Sequence, residues 1–321
     1  MKKTEMINEM VRLQILQNKR HRGFINDAKS TKAIKKMMNK FYHQASEGGI
    51  IESYWHRGKL QAIFLIFEEK DSSLGKTEHK IYTAENPKSK KSWNWIKSNF
   101  KKYSNSYGKD TTFWLHGQDK PKLLFFEKIG FNIEALIQMG VPSVGLSKLE
   151  RAYRPKDNFE EFGLICDSIK TKGEVDEVMK IYKSYFTRNP QYCSFATNPG
   201  QLKSMREELT EAKRSGDSHV YIIKDKKRKV LGMFSMSIGT DPFFGKRAGM
   251  EFVFSKTLIG KGFSKVAYKI LLKKMIKEDV RYYFGGTSQP AVIKLGKLME
   301  RWPLGFFLSY GEGFFPRSHF F

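Results

Sequence analysis

Two similar α+β (α/β) domains are what the sequence predicts, and three observations carry that expectation. The order of elements nearly repeats between the two halves, each half carries a hairpin signal, and late in the second half two glycines separate an apolar strand from a helical run. With 321 residues, 40% of them hydrophobic and 14% aromatic, the chain can bury two cores of ordinary size.

In the first half, Ile34, Met37, Met38, Phe41 and Tyr42 recur at helical spacing and predict an amphipathic helix over 31–45. Residues 50–69 place two β-type runs on either side of the turn signal His56-Arg57-Gly58-Lys59, which predicts a hairpin. A strand near 78–84, a helix over 87–103, a strand over 111–116, a helix over 119–131 and a last strand from Ile133 follow.

The second half runs through the same series. It opens with a strand over 160–169 and a helix over 174–186, and a further helix is expected after Asn198-Pro199, where proline at the first helical position is pre-organised. A second hairpin (219–238), a strand (249–254), a helix (263–277), a strand (280–286), a helix (288–302) and a final strand (304–310) complete it. Residues 151–158 read as a linker, so the domains are expected at 1–150, with N-terminal helices, and at 159–321.

The net charge of +25 is spread evenly over both halves rather than gathered in a tail. Lysine-rich helix faces account for it, and the same surface draws anions and suits a nucleic-acid partner. Two cysteines without a CxxC motif argue against a disulfide framework and fit a reducing, cytoplasmic setting. No run of 18 apolar residues predicts a membrane span. The seven histidines lack HxH, HxxxH and HExxH spacing and there is no GxSxG elbow, so neither a metal nor hydrolase chemistry is expected.

The glycines carry the chemistry. A helix start leaves backbone N–H groups unpaired and adds partial positive charge. Gly260 and Gly262 remove side chains at that point, and Lys256, Lys261 and Lys265 surround it with cations, which suits a pyrophosphate. The Walker pattern is not met, because Phe263-Ser264 follows Gly262, and the dinucleotide pattern fails at Lys265.

The series from the apolar strand at 251–254 through the glycine loop, its helix, the strand at 280–286 and the closing Gly305-Phe306 resembles the core of the GCN5-related N-acetyltransferase (GNAT) superfamily. The likeness covers about 160–310 well and 45–140 more faintly. It implies a tandem of two GNAT-like domains, each with a mixed, mostly antiparallel sheet flanked by helices, the first a degenerate copy without its own glycine loop. Departures from the family pattern are Ile259, Ser264, Ser288 and Leu295, the last standing where many members carry a catalytic tyrosine.

The resemblance further implies an acyl-CoA donor, acetyl-CoA by family habit, with no metal, and direct transfer to an amine on a small molecule, peptide or protein. Val253, Phe254 and Ser255 would face the pantetheine. Ile259, Gly260, Lys261, Gly262, Phe263, Ser264 and Lys265 would take the pyrophosphate, with Ser288 nearby. Glu251, which interrupts an apolar strand just before that segment, is the first candidate proton acceptor, and Tyr283, with Tyr282 and Tyr310, the substitute acid. The tail from Gly311 is expected to dock on the first half. The alternatives are a tRNA-dependent aminoacyl transferase of the Fem-like type and a non-catalytic binding protein on the same fold.

Overall fold

The computed structural model describes residues 3–71, 76–108, 111–187, 199–215, 219–287 and 289–311. Asn198, Ser288 and the tail beyond Gly311 therefore lie outside the described residues.

The first half contains α1 (Lys3–Asn18), α2 (Ala28–Ser46), β1 (Ile50–His56), β2 (Lys59–Asp71), β3 (Lys76–Glu85), α3 (Lys90–Lys102), β4 (Thr111–His116), α4 (Leu123–Lys128), β5 (Phe131–Gly140) and α5 (Pro142–Tyr153). The second contains β6 (Ile165–Ser168), α6 (Lys172–Thr187), α7 (Pro199–Ser215), β7 (Val220–Lys224), β8 (Val230–Asp241), β9 (Gly245–Phe254), α8 (Phe263–Lys277), β10 (Tyr282–Thr287), α9 (Pro290–Leu298) and β11 (Trp302–Tyr310). The predicted hairpins form where expected, with Arg57 and Gly58 both at positive φ in the first turn.

Four elements differ from the sequence reading, the first being the helix expected over 119–131, which is a 3-10 turn over Gly117–Lys122 followed by the six residues of α4. The strand expected over 160–169 is a short 3-10 turn followed by four strand residues, Ile165–Ser168. The helix expected to run to 302 stops at Leu298, because Glu300 takes φ +56° and Trp302 already pairs in β11. The chain just before and into the expected linker is helical: α5 packs on α8 and ends where Arg154 adopts φ +45°.

All described strands join one 11-stranded sheet in the order β1-β2-β3-β4-β11-β5-β10-β9-β8-β7-β6. The final strands of the two halves are exchanged: β11 lies between β4 and β5, and β5 lies between β11 and β10. Moving outward from the β11–β5 pair, each half shows the same sequence of partners. An antiparallel step reaches β4 or β10, a parallel step reaches β3 or β9, and the hairpin follows. Two parallel pairs therefore flank the centre symmetrically.

Alternation along the strands builds two faces. On β2, Ile63, Leu65 and Phe67 pack under α1 and α2, while Phe64 and Ile66 join Phe100, Phe113, Phe126 and Phe131 on the α3 side. In the second half Val253 and Met233 pack with α6 and α7, while Ala248, Phe254 and Tyr283 pack with α5 and α8. The edge-on contacts of Phe100 with Phe64, Phe113 and Phe126 suit the quadrupole of the rings and explain where much of the phenylalanine goes.

Candidate active site

β9 and β10 are hydrogen-bonded partners only at Tyr282–Arg247, Tyr283–Ala248 and Phe284–Gly249. Beyond that step they diverge: residues 250–254 keep their β8 partners but have none on β10, while 285–287 pair with β5. The amide of Ser255 donates to Leu231 on the β8 side. Strand alternation then turns the backbone groups of Val253 and Glu251 toward β8 and those of Phe252 and Phe254 toward the opening.

The mouth of the opening is a cleft of about 870 Å³, walled by α8, α9, Tyr153 of α5 and the 258–264 loop. Gly260 and Gly262 both take φ +80°, and a Cβ added at either would meet nothing within 4 Å. Gly262 is the N-cap of α8 and supplies no capping side chain. The amides of Gly260, Gly262, Phe263 and Ser264 make no hydrogen bond among the described residues. Lys265 and Lys294 line the cleft, with the Lys265 ammonium 3.6 Å from the centre of the Tyr153 ring, and no carboxylate is among the lining residues. A row of unpaired N–H groups at a helix start beside two cations is a site for anionic oxygen.

Of the residues singled out in the sequence, Phe254, Ile259, Gly260, Gly262, Phe263, Ser264 and Lys265 all line this cleft. Val253 is buried under α6 and α7, and Ser255 is bonded to β8 and to Thr257. Lys261 is exposed and stands outside the lining.

Behind the mouth lies an inner chamber of about 240 Å³, sharing Tyr185, Phe252, Tyr268, Gln289 and Val292 with the cleft. Glu251 is half-buried in its wall, on the face that carries α6 and α7. Burial, and then the nearby Glu208 carboxylate, push its pKa up to about 7. Arg301, 5% exposed, stands in the same wall and donates to the carbonyls of Gln138 (2.9 Å) and Gly285 (3.0 Å).

Tyr283 is not brought to this chamber. Its side chain is fully buried on the α5 face, its hydroxyl has no partner among the described residues, and it fills the space that a side chain at Gly145 would need. Tyr282 packs on the opposite face against Phe244 and Trp302, and Tyr310 lies at the far end of β11 against Tyr107 and Phe131. The phenols that do line the junction of cleft and chamber are Tyr185, whose hydroxyl accepts from Gln289 Nε2 at 3.0 Å, and Tyr268, whose ring packs at a tilt against Phe252. The sequence held a signal for Tyr268, a polar-tipped ring on the buried stripe of the helix after the glycines. For Tyr185 and Arg301 it held none.

No described helix is long and apolar enough to cross a membrane, and no cluster of three metal-ligating side chains occurs among the described residues. No protein-family model matches the chain, and no curated protein matches it in sequence. Solved structures similar to it include a tandem GNAT protein from the clavulanic acid biosynthesis pathway, with 11% identity over 95% of this chain and 94% of that one and a TM-score of 0.47. A GCN5-related N-acetyltransferase from Sphaerobacter thermophilus shows 9% identity over 80% of each chain at a TM-score of 0.48. A GNAT-family acetyltransferase from Colwellia psychrerythraea shows 8% identity over 89% of this chain and 97% of that one, at 0.47. The chain is similar to these proteins in the run of its fold, and likeness at these scores assigns it no chemistry.

Proposed function

We propose that the chain is an acyl-CoA-dependent N-acyltransferase, with residues 159–321 carrying the donor site and residues 1–150 serving as a second, non-catalytic domain. The observation that carries this reading is the coincidence of three features at one point of the sheet. The strands open, the helix that faces the opening starts with unpaired amides and no side chains in the way, and a carboxylate with a pKa of about 7 stands behind it.

The unpaired amides of Gly260, Gly262, Phe263 and Ser264, with the Lys265 side chain, would hold the donor's diphosphate. The backbone of Phe252 and Phe254, free on the β10 side, would pair with the amides of the pantetheine arm, which leads inward to the 240 Å³ chamber. There the acceptor amine attacks the thioester carbon, the C–S bond breaks, the sulfur leaves with the electron pair, and Glu251 accepts the ammonium proton. A carboxylate poised near neutral pH is ionised often enough to accept a proton and basic enough to hold one.

The test is thiol release. Acetyl-CoA mixed with the protein and a panel of primary amines should liberate free CoA in step with an acetylated amine seen by mass spectrometry. Hydrolysis without an acylated product, or no turnover with any amine, contradicts the proposal.

A further inference from the structure

On the same face of the sheet as Glu251, but between the first half and residues of β11 and the 243–244 turn, lies a cavity of about 320 Å³ that shares no residue with the cleft or its chamber. It is held between α1, α2, the ends of β3 and β4, β11 and the turn at Phe243 and Phe244. Phe41, Phe67, Trp114 and Phe307 give it an aromatic wall. Its size falls in the range of small-molecule sites, which combine an apolar wall with a few placed polar groups.

The polar groups are placed by a hydrogen-bond relay whose direction is fixed. Gln118 Nε2 donates to the carbonyl of Arg20 (3.1 Å), so this end of the amide is the nitrogen, and it also donates to His21 Nδ1 (3.0 Å). His21 then carries its proton on Nε2 and donates it to His116 Nδ1 at 2.7 Å. His116 in turn holds its proton on Nε2. Burial pushes both rings down, His21 to about 4 and His116 to about 3, so the relay stays neutral at physiological pH.

The relay ends in the N–H of His116 Nε2, which meets no acceptor among the described residues. Asn18, on the same wall, accepts from Gln14 Nε2 through Oδ1 (2.7 Å), and its own Nδ2 meets no acceptor there either. Thr112, two residues from Trp114 on the same face of β4, has a buried hydroxyl with no partner among the described residues. Donors on a cavity wall that the chain leaves without an acceptor are open to one supplied by a ligand. The nearest cation, Lys80, is already paired with Glu78 at 2.7 Å and sits near Glu69, so no free charge is offered to an anion.

We propose that this cavity is a binding site for a small neutral aromatic molecule bearing a carbonyl oxygen, the ring packing on Phe41, Trp114 and Phe307 and the oxygen accepting from His116 and Asn18. The ligand site is separate from the proposed transfer chemistry, so either stands or falls alone.

The probe is 2-acetylnaphthalene, titrated against the full chain by ligand-observed NMR beside naphthalene and 2-naphthoate. The ketone binds saturably, one per chain, about fivefold more tightly than naphthalene, since one net hydrogen bond is worth about 1 kcal/mol. The naphthoate binds more weakly than the ketone. Leu304→Trp fills the cavity and abolishes binding of the ketone, while His116→Phe leaves naphthalene unchanged and removes the ketone's advantage. Absence of saturable binding, a ketone no tighter than naphthalene, or binding undiminished by Leu304→Trp overturns the proposal.

Discussion

The two halves open their sheet in the same way and close it differently. β3 and β4 pair in parallel over three residue steps, from His79–Thr111 to Ile81–Phe113, then diverge, as β9 and β10 do. In the second half the divergence leads to a cleft of about 870 Å³. In the first, Trp93, Ile96 and Phe126 enter it on the α3 face and leave about 10 Å³ there. The helix that faces each divergence tells the same story. α8 begins at a glycine with no capping side chain, whereas α3 begins at Ser89, whose hydroxyl accepts from the Ser92 amide. The first-half loop is occupied by its own chain, with Lys88 N donating to Asn86 Oδ1 and Ser89 N to Asn86 O.

Charge completes the closure. Lys122 pairs with Glu85 and, at 3.1 Å, with Asp119, and Arg20 pairs with Asp119 at 2.9 Å, all on the walls or rim of the closed divergence. Burial raises the pKa of Glu85, only partly offset by Lys122. The lesson is that one frame makes an anion site or a sealed core according to what caps a single helix and which side chains fill the space before it.

The largest effect expected from breaking that contrast is in the open half. Glu251→Gln should lower kcat by about 10²- to 10⁴-fold, the range of a lost general base, and leave donor affinity unchanged. In the parent the rate should rise with pH and level off above about 7, where Glu251 is ionised. Stability should move the other way. The folded state keeps the Glu251 proton up to about 7 while the unfolded chain releases it near 4.5, so this contribution is full below 4.5 and is lost as pH climbs through 7. Chemical denaturation across that range should show a flatter profile in Glu251→Gln.

The next effect is in the sealed half. Lys122→Met strands Glu85 in the interior, while Asp119 keeps Arg20, and should cost about 3 kcal/mol, with a lowered Tm, because breaking a buried pair leaves its partner unpaired. Adding Glu85→Gln should restore much of the loss. The smallest is Ser89→Ala, which removes the cap of α3 at a cost of about 1 kcal/mol and should not alter donor binding.

The contrast also shows where the sequence was legible. The hairpins, α8 and the glycine loop could be read because they rest on local rules: alternation, helical spacing, and positive φ at Gly260 and Gly262. The exchange of β5 and β11 could not, since the alternation of apolar residues on a strand is the same whichever strand lies beside it. Its place beside the right strands makes Tyr283 a candidate in the sequence, yet adjacent strand residues face opposite ways, and Tyr283 faces a helix that buries it. That helix, α5, contains Pro142 and Gly145, which look like breakers. Gly145 is there because the Tyr283 hydroxyl leaves no room for a side chain.

The most direct measurement is calorimetric titration of the full chain with acetyl-CoA, alongside Gly262→Glu and Ser89→Ala. The account predicts one donor bound per chain, unchanged in Ser89→Ala, and weakened at least about 100-fold in Gly262→Glu, where a carboxylate would stand against the diphosphate. Two donors per chain, or an affinity that Gly262→Glu leaves intact, would contradict it.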